Sequence, residues 1–483
     1  GIGVQRGSED LLRWATYAPI ESGHDGKVKG LRATGLEPVR RSLAGWGRTA
    51  PSVASVQAMG TDEQVADAVG SAGPRGVVVR GLGRSYGDAA QNGGGSVLDL
   101  TGRDRILDVD AETGVVVVEA GLSLDRLMRD LLPNGWFVPV TPGTRFVTVG
   151  GAIAADVHGK NHHVDGSFGS HVRSIDLLDA QGRIRRLSPS DPLFWATVGG
   201  MGLTGVILRA TVAMTRVETS SVIVDTLRCR DLDALMAAMG DDDRYPFSVA
   251  WVDCLARGDA LGRSVLTRGR FALQSDLTPR RRREPLAFAP RSLATVPDLV
   301  PPHLLNRLTV AAFNEAWFRK APGERRGEVQ GIASFFHPLD GVAHWNRVYG
   351  ARGFLQYQIV VPDGCEDVIR ACVEAFSASG TASFLAVLKR LGEGNAGHLS
   401  FPRRGWTLAL DLPAGAGGLS PMLDHLDLLV VEAGGRSYLA KDSRMTPETV
   451  RAMYPRLSQW QELRHDADPR GVFTSDLARR LHL

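Results

Sequence analysis

Three glycine-dense segments in a fixed order, Arg80–Asp88, Thr141–Gly151 and Phe194–Gly205, confine what this chain can fold into. Glycine is needed where backbone takes positive φ or passes close to another group. The chain holds 56 glycines in 483 residues, many of them between Gly81 and Gly205, so the clustering calls for a ligand or a tight packing reason. The first segment follows the β-rich run Val77–Arg80 and reads Arg80-Gly-Leu-Gly-Arg-Ser-Tyr-Gly-Asp88. Successive N–H groups in such a turn make a concave anion site of the kind a diphosphate fits. A nicotinamide Rossmann site is the nearest rival. After Gly87, however, the chain runs through Asp88 into Gln91-Asn-Gly-Gly-Gly95, a polar stretch with no helical period. The rival needs its glycines to open a helix, and that pattern is missing.

The second segment, Thr141-Pro-Gly-Thr144 with Thr148-Val-Gly-Gly151, leads into Asp156-Val-His-Gly-Lys-Asn-His-His163 and suits a second wall beside a diphosphate. His158, His162 and His163 raise the question of a metal. Only the first two share a helix face, and Gly159 disfavours a helix there, so a polar loop beside a cofactor is the better reading. The third segment is an aromatic helix start that runs into another glycine turn.

Composition narrows the class further. Hydrophobic residues at 43% and charged residues at 23% suit a globular enzyme, and a net charge of +3 is too small to argue for nucleic acid. The basic run Arg280–Arg283 reads as a solvated loop before it reads as a contact for anionic lipid. Four cysteines show neither CxxC nor metal-ligand spacing. No apolar stretch approaches the ~20 residues of a membrane span, and the first residues lack the apolar core of a signal peptide.

The expected fold class is α+β with two domains. Residues 1–44 read as a poorly ordered arm with a short helix at Glu9–Thr16. Residues 45–216 carry the glycine loops, strands at Val77–Arg80, Ser96–Leu100, Gly114–Glu119 and Val172–Asp179, and a helix capped by Ser123 that ends before Pro133. Residues 217–434 are richer in aromatics and read as a substrate domain, an antiparallel sheet with helices, interrupted by an aperiodic, mobile insertion at 274–320. Residues 435–483 open on a strand at Ser437–Ala440.

The ordered glycine loops resemble the FAD domain of the vanillyl-alcohol-oxidase-like, PCMH-type flavoproteins. Gly81–Asp88, His158–His163, Phe194–Gly205, Phe354-Leu-Gln-Tyr-Gln358 and Ala440-Lys-Asp-Ser-Arg444 look, within that fold, like the decaprenylphosphoryl-β-D-ribose 2′-oxidase family, from about Gly45 to the carboxyl terminus. The resemblance implies a discontinuous FAD domain, closed by the carboxyl-terminal segment. FAD would meet Arg80, Gly81, Leu82, Gly83, Arg84, Ser85, Tyr86, Gly87, Asp88 and Ala89 in the first loop. It would also meet Gly143, Thr148, Val149, Gly150, Gly151, Ala155, Asp156, Val157 and His158, with Val206 and Tyr438 completing the site. Many relatives tether flavin through a histidine in the first loop; here Gly83-Arg-Ser-Tyr offers none, so the expected FAD is non-covalent.

The implied chemistry is oxidation of the 2′-hydroxyl of a polyprenyl-phosphoryl ribose to the 2′-keto form, the first half of an epimerisation toward the arabinose donor of cell-wall arabinan. Lys441 and His158 would be catalytic. Tyr86, Lys160, Gln356, Gln358 and Lys389 would line the substrate pocket, with Trp251, Phe336 and Arg347 as weaker candidates. Amides suit sugar hydroxyls because each offers donor and acceptor, and lysines suit a phosphodiester. The implied partners are a lipid-linked sugar phosphate, an NADH-dependent reductase acting on the keto product, and a membrane surface at the cell envelope. Three positions depart from the family pattern: Ala409 replaces a cysteine, Thr407 an asparagine and Phe336 a tyrosine. Two other readings stay open, an FAD-dependent oxidase of a free sugar, alditol or nucleoside, and a flavin-binding protein without turnover.

Overall fold

The computed structural model describes residues 37–240, 244–297, 305–381 and 383–483. The expected arm up to residue 36, with its helix at Glu9–Thr16, lies outside them. The folded chain starts earlier than expected. Strand β1 (Val39–Leu43) pairs antiparallel with β2 (Ser52–Ala58), so its backbone groups are satisfied in a sheet. With β3 (Val77–Arg80) and β4 (Ser96–Asp99) they form a four-stranded sheet in the order β1-β2-β4-β3. The sequence marks β3 through three successive valines, and the first glycine loop leaves from its carboxyl end.

A second sheet is built from β5 (Ile106–Val109) and β6 (Val115–Glu119) and, after the short β7 (Trp136–Phe137), from β8 (Val172–Leu178), β9 (Ile184–Leu187) and β10 (Val206–Ala213). Its order is β5-β6-β10-β8-β9, and β7 pairs apart from it with β11 (Thr215–Arg216). The helix Leu124–Leu131 begins where expected, with Ser123 Oγ accepting from Arg126 N at 3.1 Å.

The third sheet dominates the rest. Its strands are β12 (Ser221–Cys229), β13 (Phe247–Val252) and β14 (Ser264–Phe271), then, beyond the small β15 (Ala294–Thr295), β16 (Glu324–Gly331). After β17 (Val342–Ala343), which pairs with β15, come β18 (Phe354–Val361), β19 (Ala386–Leu391), β20 (Gly405–Pro413) and β21 (Arg436–Ser437). The order is β16-β12-β14-β13-β19-β20-β18-β21, antiparallel throughout. Two expectations change here. The strand expected over Ser437–Ala440 stops at Ser437, because the chain turns back with Lys441 N donating to Tyr438 O at 2.9 Å. Because β21 belongs to the third sheet, a boundary at 434 cuts before its last strand.

The 274–320 segment also differs from expectation. Its described part holds 3-10 turns at Gln274–Asp276 and Arg281–Arg283 and a fourteen-residue helix, Arg307–Lys320, capped by Asn306. No period was visible because the helix buries only a narrow stripe, Val310 and Asn314, and leaves Leu308, Phe313 and Trp317 exposed.

The carboxyl-terminal segment packs on the first sheet. Val77 N donates to Val472 O at 2.8 Å and Thr474 N to Val77 O at 3.0 Å. Asp476 accepts from Ser52 Oγ at 2.6 Å and from Gly93 N at 2.9 Å. Phe473 is fully buried with Val77, Leu98, Val206 and Leu208 in one apolar cluster. The chain is therefore α+β, with residues from its two ends sharing one core.

Candidate active site

Strand register assembles one wall of the site. Directly opposed residues of antiparallel strands project to the same face, and so do positions two apart. The pairs Gln356↔Asp411 and Gln358↔Ala409 join β18 to β20, and Lys389↔Thr407 and Val387↔Ala409 join β20 to β19. Trp251 of β13 opposes Val387 and belongs to the same face. Gln356 Nε2 donates to Asp411 Oδ1 and approaches the Tyr86 hydroxyl at 3.4 Å. Gln358 Nε2 meets His158 Nε2 at 2.9 Å and Thr407 Oγ1 at 3.4 Å. With that amide as donor, His158 carries its proton on Nδ1, a buried atom with no protein partner among the described residues.

Backbone assembles the opposite wall. A Cβ on Gly87 would stand 1.9 Å from Asp442 O, and one on Gly81 2.4 Å from Thr148 Oγ1. The first loop is thus pressed against both the second glycine segment and the residue after Lys441. Gly83 takes a φ of +64°, where a side chain would be strained. Tyr86 N donates to Ala440 O at 2.9 Å, and the Lys441 ammonium lies 3.7 Å from the centre of the Tyr86 ring. Tyr438 stacks on Phe401 at 4.8 Å, sits 5.3 Å from the His158 ring, and donates its hydroxyl to Ala155 O at 2.7 Å.

Burial sets the charges. The Lys160 ammonium, over the Phe335 ring at 4.1 Å and bonded to Phe335 O, is pushed down to about 7 by burial and then by Lys389. Lys389 itself falls to about 8 through burial. Burial also lowers Lys441 and raises Asp411, while the carboxylate pulls the lysine part of the way back. His158 is driven well below the usual imidazole range by burial and then by Lys389, so it is neutral at pH 7. Tyr86 is raised by burial and stays a phenol.

Other expected residues are placed differently. Phe336 is 3% exposed, packs edge-on to Phe247 at 4.9 Å and has the Lys160 ammonium 6.0 Å from its ring. Arg347 donates to Val296 O at 3.1 Å, and Trp251 Nε1 to Phe384 O at 3.1 Å. Arg80 ties its own loop down, donating to Ala90 O at 2.8 Å and Ala44 O at 2.9 Å. Asp156 is a buried structural carboxylate, accepting from Gly169 N at 2.9 Å, Ser167 Oγ at 2.8 Å and Asn395 Nδ2 at 2.8 Å. Val206 is core, and Leu82 is exposed. Thr148 caps the helix Val149–Ala154, which carries Gly150 and Gly151, while Gly143 faces open space. Asp88 forms a bidentate pair with Arg480, and Val157 and Ala89 are buried in the apolar core. Ser85 O accepts from Trp46 N at 2.8 Å.

An FAD binding domain family covers residues 53–188, and a D-arabinono-1,4-lactone oxidase family covers residues 418–481. Decaprenylphosphoryl-beta-D-ribose oxidase of Mycolicibacterium smegmatis is 49% identical over 94% of this chain and 100% of its own. The chain belongs to the decaprenylphosphoryl-β-D-ribose oxidase family. An uncharacterized protein of Streptomyces coelicolor is 45% identical over 75% of this chain and all of its own, and D-lactate dehydrogenase of Anaerostipes hadrus is 31% identical over 26% of this chain and 28% of its own. The enzyme is an FAD-dependent oxidoreductase of PCMH type acting on a sugar hydroxyl.

The residues present fit FAD. The glycines at 81, 83 and 87 give one wall of close-set backbone free of side chains, and the buried Nδ1–H of His158, beside Tyr438, has no protein acceptor among the described residues. Sequence reasoning missed Asp411, although a signal existed. The alternation of Gly405–Pro413 places 407, 409 and 411 on one face, and only the first two were singled out. Phe401, sandwiched against His158 and Tyr438, carried no sequence signal. Among the described residues, no helix is long and apolar enough to cross a membrane.

Proposed function

We propose that the enzyme oxidises the 2′-hydroxyl of a polyprenyl-phosphoryl β-D-ribose to the ketone, with a separate NADH-dependent reductase completing epimerisation and with peripheral contact to the membrane that holds the substrate. The observation carrying this reading is the convergence of Gln356, Gln358, Lys389, His158, Tyr86 and Lys441 on one partly buried site. The M. smegmatis relative's name supplies the sugar and carrier class.

FAD, when bound, supplies the two-electron acceptor for the hydride leaving C2. The chain's own residues manage the rest. As the C2–O bond becomes a carbonyl, the hydroxyl proton passes to the Lys441 amine, which burial keeps available in neutral form. Asp411 shares that proton electrostatically and is the counter-charge when Lys441 is protonated. The amides of Gln356 and Gln358 hold sugar hydroxyls, while Lys160 and Lys389 regain charge beside an anionic phosphate. His158 donates from Nδ1 and is held by Gln358. Arg84 occupies the place of a tethering histidine, but its guanidinium lies 3.9 Å over Trp46 and offers no nucleophile, so the flavin is non-covalent. The domain division proposed is residues 37–216 with 438–483 around FAD, and 217–437 around the sugar.

Anaerobic reduction of the purified holoenzyme tests this. Bleaching by farnesyl-phosphoryl ribose and not by free ribose, alditols or nucleosides supports the lipid-linked reading. Bleaching by free ribose alone moves the enzyme to the free-sugar oxidases, and bleaching by none of them removes both. Acid precipitation that leaves the yellow colour in solution supports a non-covalent flavin.

A further inference from the structure

Asp156 stands where a chain ordinarily places glycine. The helix Val149–Ala154 closes with Asp156 N donating to Ile153 O and Val157 N to Ala152 O, both at 3.0 Å, the pair of bonds that ends a helix through a left-handed residue. Asp156 is that residue, with a φ of +41°. Glycine takes this conformation without strain, and Gly150, Gly151 and Gly159 lie close by in the sequence. A carboxylate kept at a strained position, in a segment this rich in glycine, points to a task for the side chain.

That side chain, fully buried, gathers four donors from two other segments. Its Oδ1 accepts from Gly169 N at 2.9 Å, and its Oδ2 accepts from Ser167 Oγ and Asn395 Nδ2, each at 2.8 Å, and from Ser400 Oγ. Gly169 leaves no room for a Cβ, which would stand 2.9 Å from Oδ1 and 2.4 Å from Val198 Cγ1. Ser167 and Gly169 lie at the 3-10 turn Phe168–His171, whereas Asn395 and Ser400 lie in the connection from β19 to β20. One carboxylate therefore fastens the glycine-loop half of the chain to the third sheet. What it holds there is a trio of rings. Ser400 precedes Phe401, which stacks on Tyr438 at 4.8 Å and meets His158 at 5.3 Å. Ala155, just before Asp156, accepts the Tyr438 hydroxyl at 2.7 Å, and His158 follows two residues after it.

We infer that Asp156 is a positioning residue for FAD, holding Phe401 through Ser400 and the Ala155–His158 segment directly. The rings of Tyr438 and His158, and the Nδ1–H of His158, are thereby set in place before the flavin binds. A site arranged in advance binds more tightly because fewer groups are ordered on binding. A hydrogen bond to a buried carboxylate is among the stronger ones, so the clamp resists the loss of one donor better than the loss of its charge. The inference needs only the cofactor and goes beyond the proposed substrate, whose failure would leave it untouched.

Equilibrium ultrafiltration of the full-length holoenzyme gives the FAD dissociation constant, and the visible spectrum of the retained flavin reports its surroundings. Ser400→Ala removes one donor and no ring. It is expected to raise the dissociation constant about tenfold, the order of one hydrogen bond to a buried charge, and to shift the flavin absorption band. Asp156→Asn keeps a residue type that tolerates the left-handed turn but sets an amide N–H2 against the donors, and should weaken FAD further. Should that variant fail to fold, Ser400→Ala decides alone. In a Phe401→Leu background the same Ser400→Ala change should weaken FAD by less than about twofold, because the route through the rings is already gone. An unchanged dissociation constant in Ser400→Ala, at any melting temperature, leaves Asp156 a brace of the fold and overturns the inference. A tenfold loss that persists in the Phe401→Leu background overturns it too, since the clamp would then act without the rings.

Discussion

The two walls of the active site are made of different material. The wall around the first glycine loop is backbone set against backbone: Gly45 lies where a Cβ would be 2.1 Å from Gly87 O, and Gly87 where it would be 1.9 Å from Asp442 O. The opposite wall is the face of the third sheet, where alternate side chains of β18, β19 and β20 supply amides, a carboxylate and an amine. A backbone wall fixes shape and tolerates no added atom. A side-chain wall fixes chemistry and leaves room for exchange, because its side chains, Thr407 and Ala409 among them, project from the strands instead of abutting backbone. Substitutions on the first wall should therefore damage folding and flavin retention, and those on the second should damage turnover in an enzyme that stays yellow.

The largest expected effect is on the second wall. Lys441→Ala should keep its flavin and its melting temperature within a few degrees while turnover falls by roughly two to four orders of magnitude, the usual span for a lost general base. Stopped-flow bleaching of the holoenzyme gives the measurement. Normal bleaching would take Lys441 out of proton transfer and leave it as a neighbour of the Tyr86 ring.

The first wall should break differently. Gly87→Ala drives a methyl into Asp442 O, a contact no rotamer can relieve, and overpacking of this kind costs about 1–3 kcal/mol. The expected outcome is a lower melting temperature and purification with little flavin, read from the ratio of visible to ultraviolet absorbance. A stable, fully yellow, slow Gly87→Ala enzyme would mean that this wall, too, serves chemistry more than shape.

Between these lies Asp411, the carboxylate that tunes the lysine. Its negative charge raises Lys441, and Lys441 must be neutral to accept a proton, so activity climbs as pH rises through the lysine's value. Asp411→Asn removes the charge, lowers Lys441 further and should shift the acidic limb of kcat/KM toward lower pH by about one unit, the equivalent of 1.4 kcal/mol. A limb that stays in place would show that Asp411 only holds the Gln356 amide.

The same contrast explains what the sequence made legible. The glycine loops could be read because glycine is hard to replace at positions such as 81, 83 and 87, so the reason leaves a mark in the sequence; β3 and the Ser123-capped helix were equally plain from a valine run and a cap. The sheet face was readable only through likeness of motif, since nothing local in Phe354–Val361 tells that Gln356 will oppose Asp411 from a strand some fifty residues later. Asp411 was missed for that reason. Phe336 shows the converse limit: an aromatic side chain looks the same in a core as beside a pocket, and here Phe137, Phe247 and Phe271 pack against it while the Lys160 ammonium lies 6.0 Å from its ring. The helix Arg307–Lys320 escaped notice because its exposed aromatics blur the period that a buried face would impose.

The smallest expected effect lies at the seam between the walls. His162 is 1% exposed, and its Nδ1 accepts from Gly392 N at 3.1 Å, joining the segment after the second glycine loop to the end of β19. Burial, followed by Lys389, lowers it to about 3. A histidine depressed in the folded state stabilises the fold above its unfolded value near 6.5, and that contribution is lost as pH falls from there toward 3, because the unfolded chain takes up a proton the folded chain refuses. Its full slope is about 1.4 kcal/mol per pH unit. His162→Gln keeps an acceptor for Gly392 but cannot titrate, so the drop in stability between pH 6.5 and 5.5 should shrink by about 1 kcal/mol in urea melts. An unchanged drop would assign acid sensitivity to His158 and His337, which burial also holds neutral, and so to the interior of the site, away from its seam.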